Sequence, residues 1–303
     1  MLKKLTFSLN LFSFSASNRY ELKIFNMKNL NRFFILGLAV SSFFFLSCEK
    51  ETVEEVAVDQ DLLSANAQID FSNELDFSTG LDVSAENNSY SSKTGSTEKY
   101  FPQCATVTVD DATPGVFPKV FTVDFGAGCL SNGINRSGII TITLTNYLAN
   151  SGCVMTIERS NYYVNGRKIE GTVVYENITS NPQVPKWTRT VSNGQLTTLT
   201  GAIFTFSGTR TVQQTAGVNT LTLGDNIYEV LSGNHTVNRP NGTSLTVTIV
   251  TPLIKKYACN YISQGQLNLQ GTFLDGILDY GDTTCDNQAT YTHSNGAIYN
   301  VSL

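Results

Sequence analysis

The chain has 303 residues, 41% of them hydrophobic and 15% charged, with 20 Lys+Arg against 25 Asp+Glu and a formal net charge of −5. Such a balance excludes a nucleic-acid binder, which needs a basic stripe, and a polybasic contact with a membrane surface.

Residues 1–26 carry Lys3, Lys4, Arg19, Glu21 and Lys23 among apolar residues, without a clean apolar core. They read as an over-extended start, with Met27 as the true one. Residues 27–47 form a signal peptide: Lys28 and Arg32 precede an apolar run from Phe33 to Leu46. That run is too short for the roughly twenty residues that cross a bilayer. Phe45-Leu46-Ser47-Cys48 resembles the lipobox of bacterial lipoproteins, with Phe45 departing from the usual aliphatic residue. The resemblance implies that Cys48 is acylated and becomes the first residue of the mature chain. Stable attachment then follows, since each buried methylene contributes ~0.8 kcal/mol.

Residues 48–100 hold the anchor cysteine and an acidic stretch. From Glu49 to Tyr100 there are twelve acids and three bases, a net of −9, whereas 101–303 comes to −1. The stretch is rich in Ser, Asn, Asp and Glu and poor in aromatics, so it is expected to be a flexible, solvated spacer. Thr52-Val53-Glu54-Glu55 could cap a short helix running towards Leu63.

From Cys104 the pattern turns to period two. Phe121, Val123 and Phe125 alternate with Thr122 and Asp124. Ile140, Ile142 and Leu144 alternate with threonines, as do Leu245, Val247 and Ile249. Alternation of this kind marks half-buried strands. Asn165-Gly166, Asn193-Gly194, Asn241-Gly242 and Asn295-Gly296 supply hairpin turns. Residues 101–303 therefore predict one all-β, antiparallel, meander-type domain of about twelve to fourteen strands. A curved sheet, a barrel and a sandwich all remain open.

Two segments echo each other: Cys104 to Asp124-Phe125-Gly126-Ala127-Gly128-Cys129, and Cys259 to Asp279-Tyr280-Gly281-Asp282-Thr283-Thr284-Cys285. In an exported chain these cysteines predict disulfides Cys104–Cys129 and Cys259–Cys285, with cross-pairing of the segments as the rival. Cys153 is left over. These echoed segments, with Asn161-Tyr162-Tyr163-Val164-Asn165-Gly166 and Thr251-Pro252-Leu253-Ile254, are similar to an uncharacterised surface lipoprotein family of Bacteroidota, the flavobacteria among them. The resemblance implies an outer-membrane or cell-surface address and brings no catalytic residues.

Motifs for chemistry are sparse. His235 and His293 lack any partnered nucleophile or zinc motif and read as surface or turn residues. Asp279, Asp282 and Asp286 cluster by a turn and raise a weak calcium hypothesis. Tyr162, Tyr163 and Trp187 raise an equally weak one, an aromatic platform for glycans, against the simpler reading of core packing. No cofactor is implied. The expected partners are the membrane, through Cys48, and a polysaccharide or another envelope protein. The expected role is a structural or binding module, with a glycan-binding accessory protein and a carboxylate-dependent hydrolase as alternatives.

Overall fold

The computed structural model describes residues 57–87 and 102–303. Cys48, the signal segment 27–47 and the suspect start 1–26 lie outside the described residues, as does the Thr52–Glu55 cap.

Residues 102–303 build a single antiparallel sheet of fourteen strands, β1 to β14, matching the expected all-β meander. Its strands are β1 (Thr106–Val109), β2 (Lys119–Asp124), β3 (Cys129–Ser131), β4 (Ile134–Leu144), β5 (Val154–Val164), β6 (Arg167–Asn177) and β7 (Lys186–Thr197). They continue as β8 (Ile203–Ala216), β9 (Ile227–Asn238), β10 (Ser244–Lys256), β11 (Gln264–Gly271), β12 (Asp275–Asp282), β13 (Gln288–His293) and β14 (Ile298–Ser302). Neighbours in sequence are neighbours in the sheet, except that β2 and β3 share the same flank of β4. The loop Phe125–Gly128 separates those two. No strand pairing among the described residues joins β1 to β14, so the sheet is curved but not hydrogen-bonded into a barrel.

Turn chemistry sets the register. Asn165 and Gly166 both take positive φ (48° and 79°) in the two-residue turn between β5 and β6. Asn132-Gly133 does the same between β3 and β4. Asn241-Gly242 and Asn295-Gly296 also lie in hairpin turns. Asn193-Gly194 does not. It sits inside β7, at the register shift between Val191 and Gly194. There Asn193 (φ 51°) bulges towards Gly171 of β6, whose missing side chain leaves room: a Cβ would stand 2.6 Å from the Asn193 carbonyl oxygen. Gly138 of β4 meets the Asn161 bulge of β5 in the same way. Such bulges add local twist and bend the strand. Register shifts recur between every adjacent pair from β4 to β12. They curl the sheet.

What it curls around is the main correction to the sequence reading. Residues Gln60–Glu86, expected within a flexible spacer, form one helix, α1, and every residue from Ala65 to Ala85 is buried. At 1.5 Å per residue α1 is about 40 Å long. Asp59 caps it, accepting from the Leu62 amide at 2.9 Å. The helix has no apolar stripe, because from Ala65 to Ala85 every one of its residues is covered. Gly80 sits in its interior, where an added Cβ would approach Met155 Sδ to 2.7 Å. Glycine costs about 1 kcal/mol in a helix, and here that cost is met by the close approach of β5. Phe77 packs on Tyr175 (4.5 Å between ring centroids), Tyr228 (5.2 Å) and Trp187 (6.4 Å), fastening mid-helix to β6, β9 and β7.

The disulfides join Cys104 to Cys129 and Cys259 to Cys285, with Cα separations of 5.6 and 5.4 Å. Cys153 is a buried thiol donating to the Asn146 carbonyl at 3.2 Å. Two disulfides indicate an oxidising, exported environment. No described helix is long and apolar enough to cross a membrane.

Candidate functional site

α1 carries Asp61, Asp70, Glu74, Asp76, Asp82 and Glu86 and no Lys or Arg. Facing it, the inner surface of the sheet presents a row of cations and phenols. Successive strands touch successive turns of the helix. Arg136 (β4) donates to Thr79 Oγ1 at 2.9 Å. Arg159 (β5) donates to Asp76 at 2.8 Å and to Asn73 at 2.9 Å. Arg189 (β7) pairs with Glu74, and Arg210 (β8) with Asp70 at 2.7 Å. His235 (β9) meets Asn66 at 2.7 Å, and Arg239, just past β9, meets Asp59 at 2.5 Å. The contacts descend the helix as the sheet advances, which is how a staggered, curling sheet wraps a rod. Tyr162, Tyr280 and Tyr257 donate to Asp76, Asp70 and Asp82 respectively.

This arrangement settles protonation states. Burial would raise the Asp70 carboxyl, but Arg210, with His235 and Arg189, more than offsets it and holds the group below the usual carboxylate range. His235 Nδ1 lies 2.6 Å from Arg210 and must accept from its guanidinium. The ring proton therefore sits on Nε2 and is donated to Asn66 Oδ1. Burial first, then Arg210, pushes this imidazole down to about 3. Burial likewise lowers Lys255 to about 7. Its ammonium donates to the Cys259 and Lys256 carbonyls.

Every buried carboxylate of α1 is held by a partner inside the molecule, so the column fastens the helix to the sheet. Sequence reasoning missed it. The visible signal was the excess of acid over base in 49–100, which reads as solvation until the partner cations are located.

Other expected site residues are dispersed. Tyr162 and Trp187 are fully buried against α1 or its aromatic cluster, while Tyr163 alternates to the outer face of β5 and is half-buried. The three do not form a platform. His235 and His293, expected at the surface or in turns, are both buried; Tyr291 Oη lies 2.8 Å from His293 Nδ1. Asp279 accepts from Gln266 and the Gly281 amide, Asp282 from Thr284, and Asp286 from the Gln288 amide. Among the described residues no group of three or more His, Cys, Asp or Glu is arranged to hold a metal ion.

An open cleft of about 410 Å³ lies at the N-terminal end of α1, between its first turns, the β5–β6 turn and β14. Among the described residues its walls are amides and hydroxyls with one guanidinium, closed by Leu63, Val301 and Leu303; no Asp or Glu lines it, and the Leu303 terminal carboxyl makes no ion pair with Arg167. Asn165 is fixed there by a double bond pattern with β4: its amide donates to the Asn135 carbonyl, and its Oδ1 accepts from the Asn135 amide. The chain matches no family model, no curated protein and no solved structure.

Proposed function

We propose that this protein is a lipid-anchored cell-envelope module, held at the outer membrane or cell surface through Cys48, that binds or scaffolds and does not catalyse. The observation that carries this reading is the filled interior. α1 occupies the space a curved sheet would otherwise offer to a ligand, and the buried carboxylates of α1 are committed to arginines, tyrosines and one another's neighbours within the fold. A carrier would need a large apolar cavity. A hydrolase would need two carboxylates facing each other across a cleft, and no Asp or Glu stands among the described residues that line the open cleft. The inner arginines turn away from solvent, which further depletes the outer face of positive charge and speaks against nucleic acid as a partner. The lipobox-like Phe45–Cys48 and the resemblance to surface lipoproteins support the address.

The test is direct. In a lipoprotein-processing bacterial host fed an alkyne fatty acid, the full chain should take up label and partition into the detergent phase. Cys48→Ala should lose both. Label retained by Cys48→Ala, or an unlabelled wild type, would remove the anchor from this reading. The glycan-binding alternative gains one specific support, the amide-lined cleft.

A further inference from the structure

We propose that the cleft at the N-terminal end of α1 is a binding site for a small hydroxylated carboxylate, of the sugar-acid or hydroxy-acid class. The proposal deepens the binding-module reading and rests on it for the class of activity, not for the anchor.

The contrast that points there is one of satisfaction. Deeper in the sheet, the polar side chains of α1 find partners. Asn73 and Asp76 take Arg159, Glu74 takes Arg189, Asp70 takes Arg210, and Ser72, Ser78, Thr79 and Ser84 bond back to carbonyls four residues earlier. Gln60, Ser64 and Gln68 stand at i, i+4 and i+8, one above the other on the face that lines the cleft. None of the three side chains has a protein partner among the described residues. Gln68 is the telling one. It is only 6% exposed, yet its amide is unpaired. The amide is not sealed off from the cleft, so a ligand there can both donate to it and accept from it.

The charge is equally selective. Among the described arginines, 136, 159, 189, 210 and 239 each donate to a side chain of α1 or of its cap. Arg167 alone has neither an ion pair nor a hydrogen bond at its guanidinium, and it faces the cleft. One guanidinium matches one carboxylate, bidentately. The remaining wall, Asn300 and Ser302 of β14 with the three α1 side chains, offers groups that both donate and accept, the complement of hydroxyls. A phosphate dianion would call for more positive charge than this. The helix terminus supplies none, because Asp59 already caps it. With no aromatic ring among the described lining residues, the ligand is held by its edges and not by stacking. The volume of about 410 Å³ falls at the lower end of the range for small-molecule sites.

Titration calorimetry on the purified full chain tests this, with glucuronate, galacturonate and their short oligomers as ligands and glucose and inorganic phosphate as comparisons. Expected is saturable binding of the uronates, weakened by salt, with glucose much weaker. Arg167→Gln should lower uronate affinity about ten- to hundredfold with its melting temperature unchanged. Gln68→Leu should also weaken binding, and Lys168→Gln, whose ammonium pairs with Glu170 outside the cleft, should not. Preference for the monosaccharide would identify a free acid as the ligand; preference for oligomers would identify a uronate within a polysaccharide. The proposal is overturned by no binding at millimolar ligand, by equal binding of glucose, by phosphate binding as tightly as the uronates, or by an Arg167→Gln chain that binds like wild type. None of these results bears on acylation at Cys48, so site and anchor fail separately.

Discussion

The two stretches of α1 make an instructive pair. From Asp70 to Asp82 the helix is ringed by strands, and its polar side chains are matched with cations and phenols of the sheet region or with the helix's own carbonyls. At Gln60, Ser64 and Gln68 the same helix presents amides and a hydroxyl without a partner among the described residues. Identical residue types thus do different work according to enclosure. Where the sheet closes over the helix, an unpaired charge would carry a large desolvation cost, so each buried carboxylate of α1 has a partner, while single atoms such as Asn66 Nδ2 and Arg210 Nε stay unpaired. Where the sheet leaves a gap at β14, the cost is smaller and unpaired groups persist.

The sharpest break in this comparison is removal of the rod. A chain lacking Gln60–Glu86 should show no cooperative thermal transition, because the inner arginines would face one another without counter-charge. Adding a synthetic peptide of residues 57–87 should restore the transition. Next in size is a single partner. Arg189→Ala leaves Glu74 buried and unpaired and should cost about 3–5 kcal/mol in denaturant unfolding. Loss of the Cys104–Cys129 bridge by the double serine variant should cost about 3 kcal/mol, the closure term for a loop of 25 residues.

A fourth prediction uses protons. The folded state lowers His235 from 6.5 to about 3. The unfolded chain therefore binds the extra proton first as pH falls. Stability should decline from about pH 6.5 down to about pH 3, by at most ~1.4 kcal/mol per pH unit from this group, and His235→Gln should flatten that slope. The smallest effects belong to the cleft. Gln60→Ala and Ser64→Ala should change stability by no more than about 0.5 kcal/mol, and an effect as large as that of Arg189→Ala would erase the distinction between the two stretches.

The strands were legible because each alternates against a wet outer face, as Phe121, Val123 and Phe125 do against Thr122 and Asp124. Disulfide partners were legible from the echo around Asp124-Phe125-Gly126 and Asp279-Tyr280-Gly281. The helix was not. A helix half-exposed to water announces itself by an apolar stripe, but one enclosed on all sides has no such face. Its carboxylates are neutralised by residues as distant as Arg210, 140 positions away from Asp70, and pairing at that range leaves no local mark. Core packing, the simpler reading of Trp187 and Tyr162, is what the structure shows, whereas Asn193-Gly194, read as a turn, supplies a bulge. Of the cleft, only Asn165-Gly166 was visible in the sequence, as a hairpin.

The descending contacts between sheet and helix have a consequence for biogenesis. α1 precedes all fourteen strands, so it emerges first, while its hydrogen-bond partners arrive 57 residues later at Arg136 and as much as 210 later at Tyr280. Contact order is correspondingly high, and such topologies fold slowly. Meanwhile the segment carries six acids and no bases, a charge that opposes early collapse. An exported polypeptide must stay unfolded until it has crossed its membrane. This one defers its core by writing the centre of that core in a sequence that is soluble alone and turns inward only when the last strands have arrived.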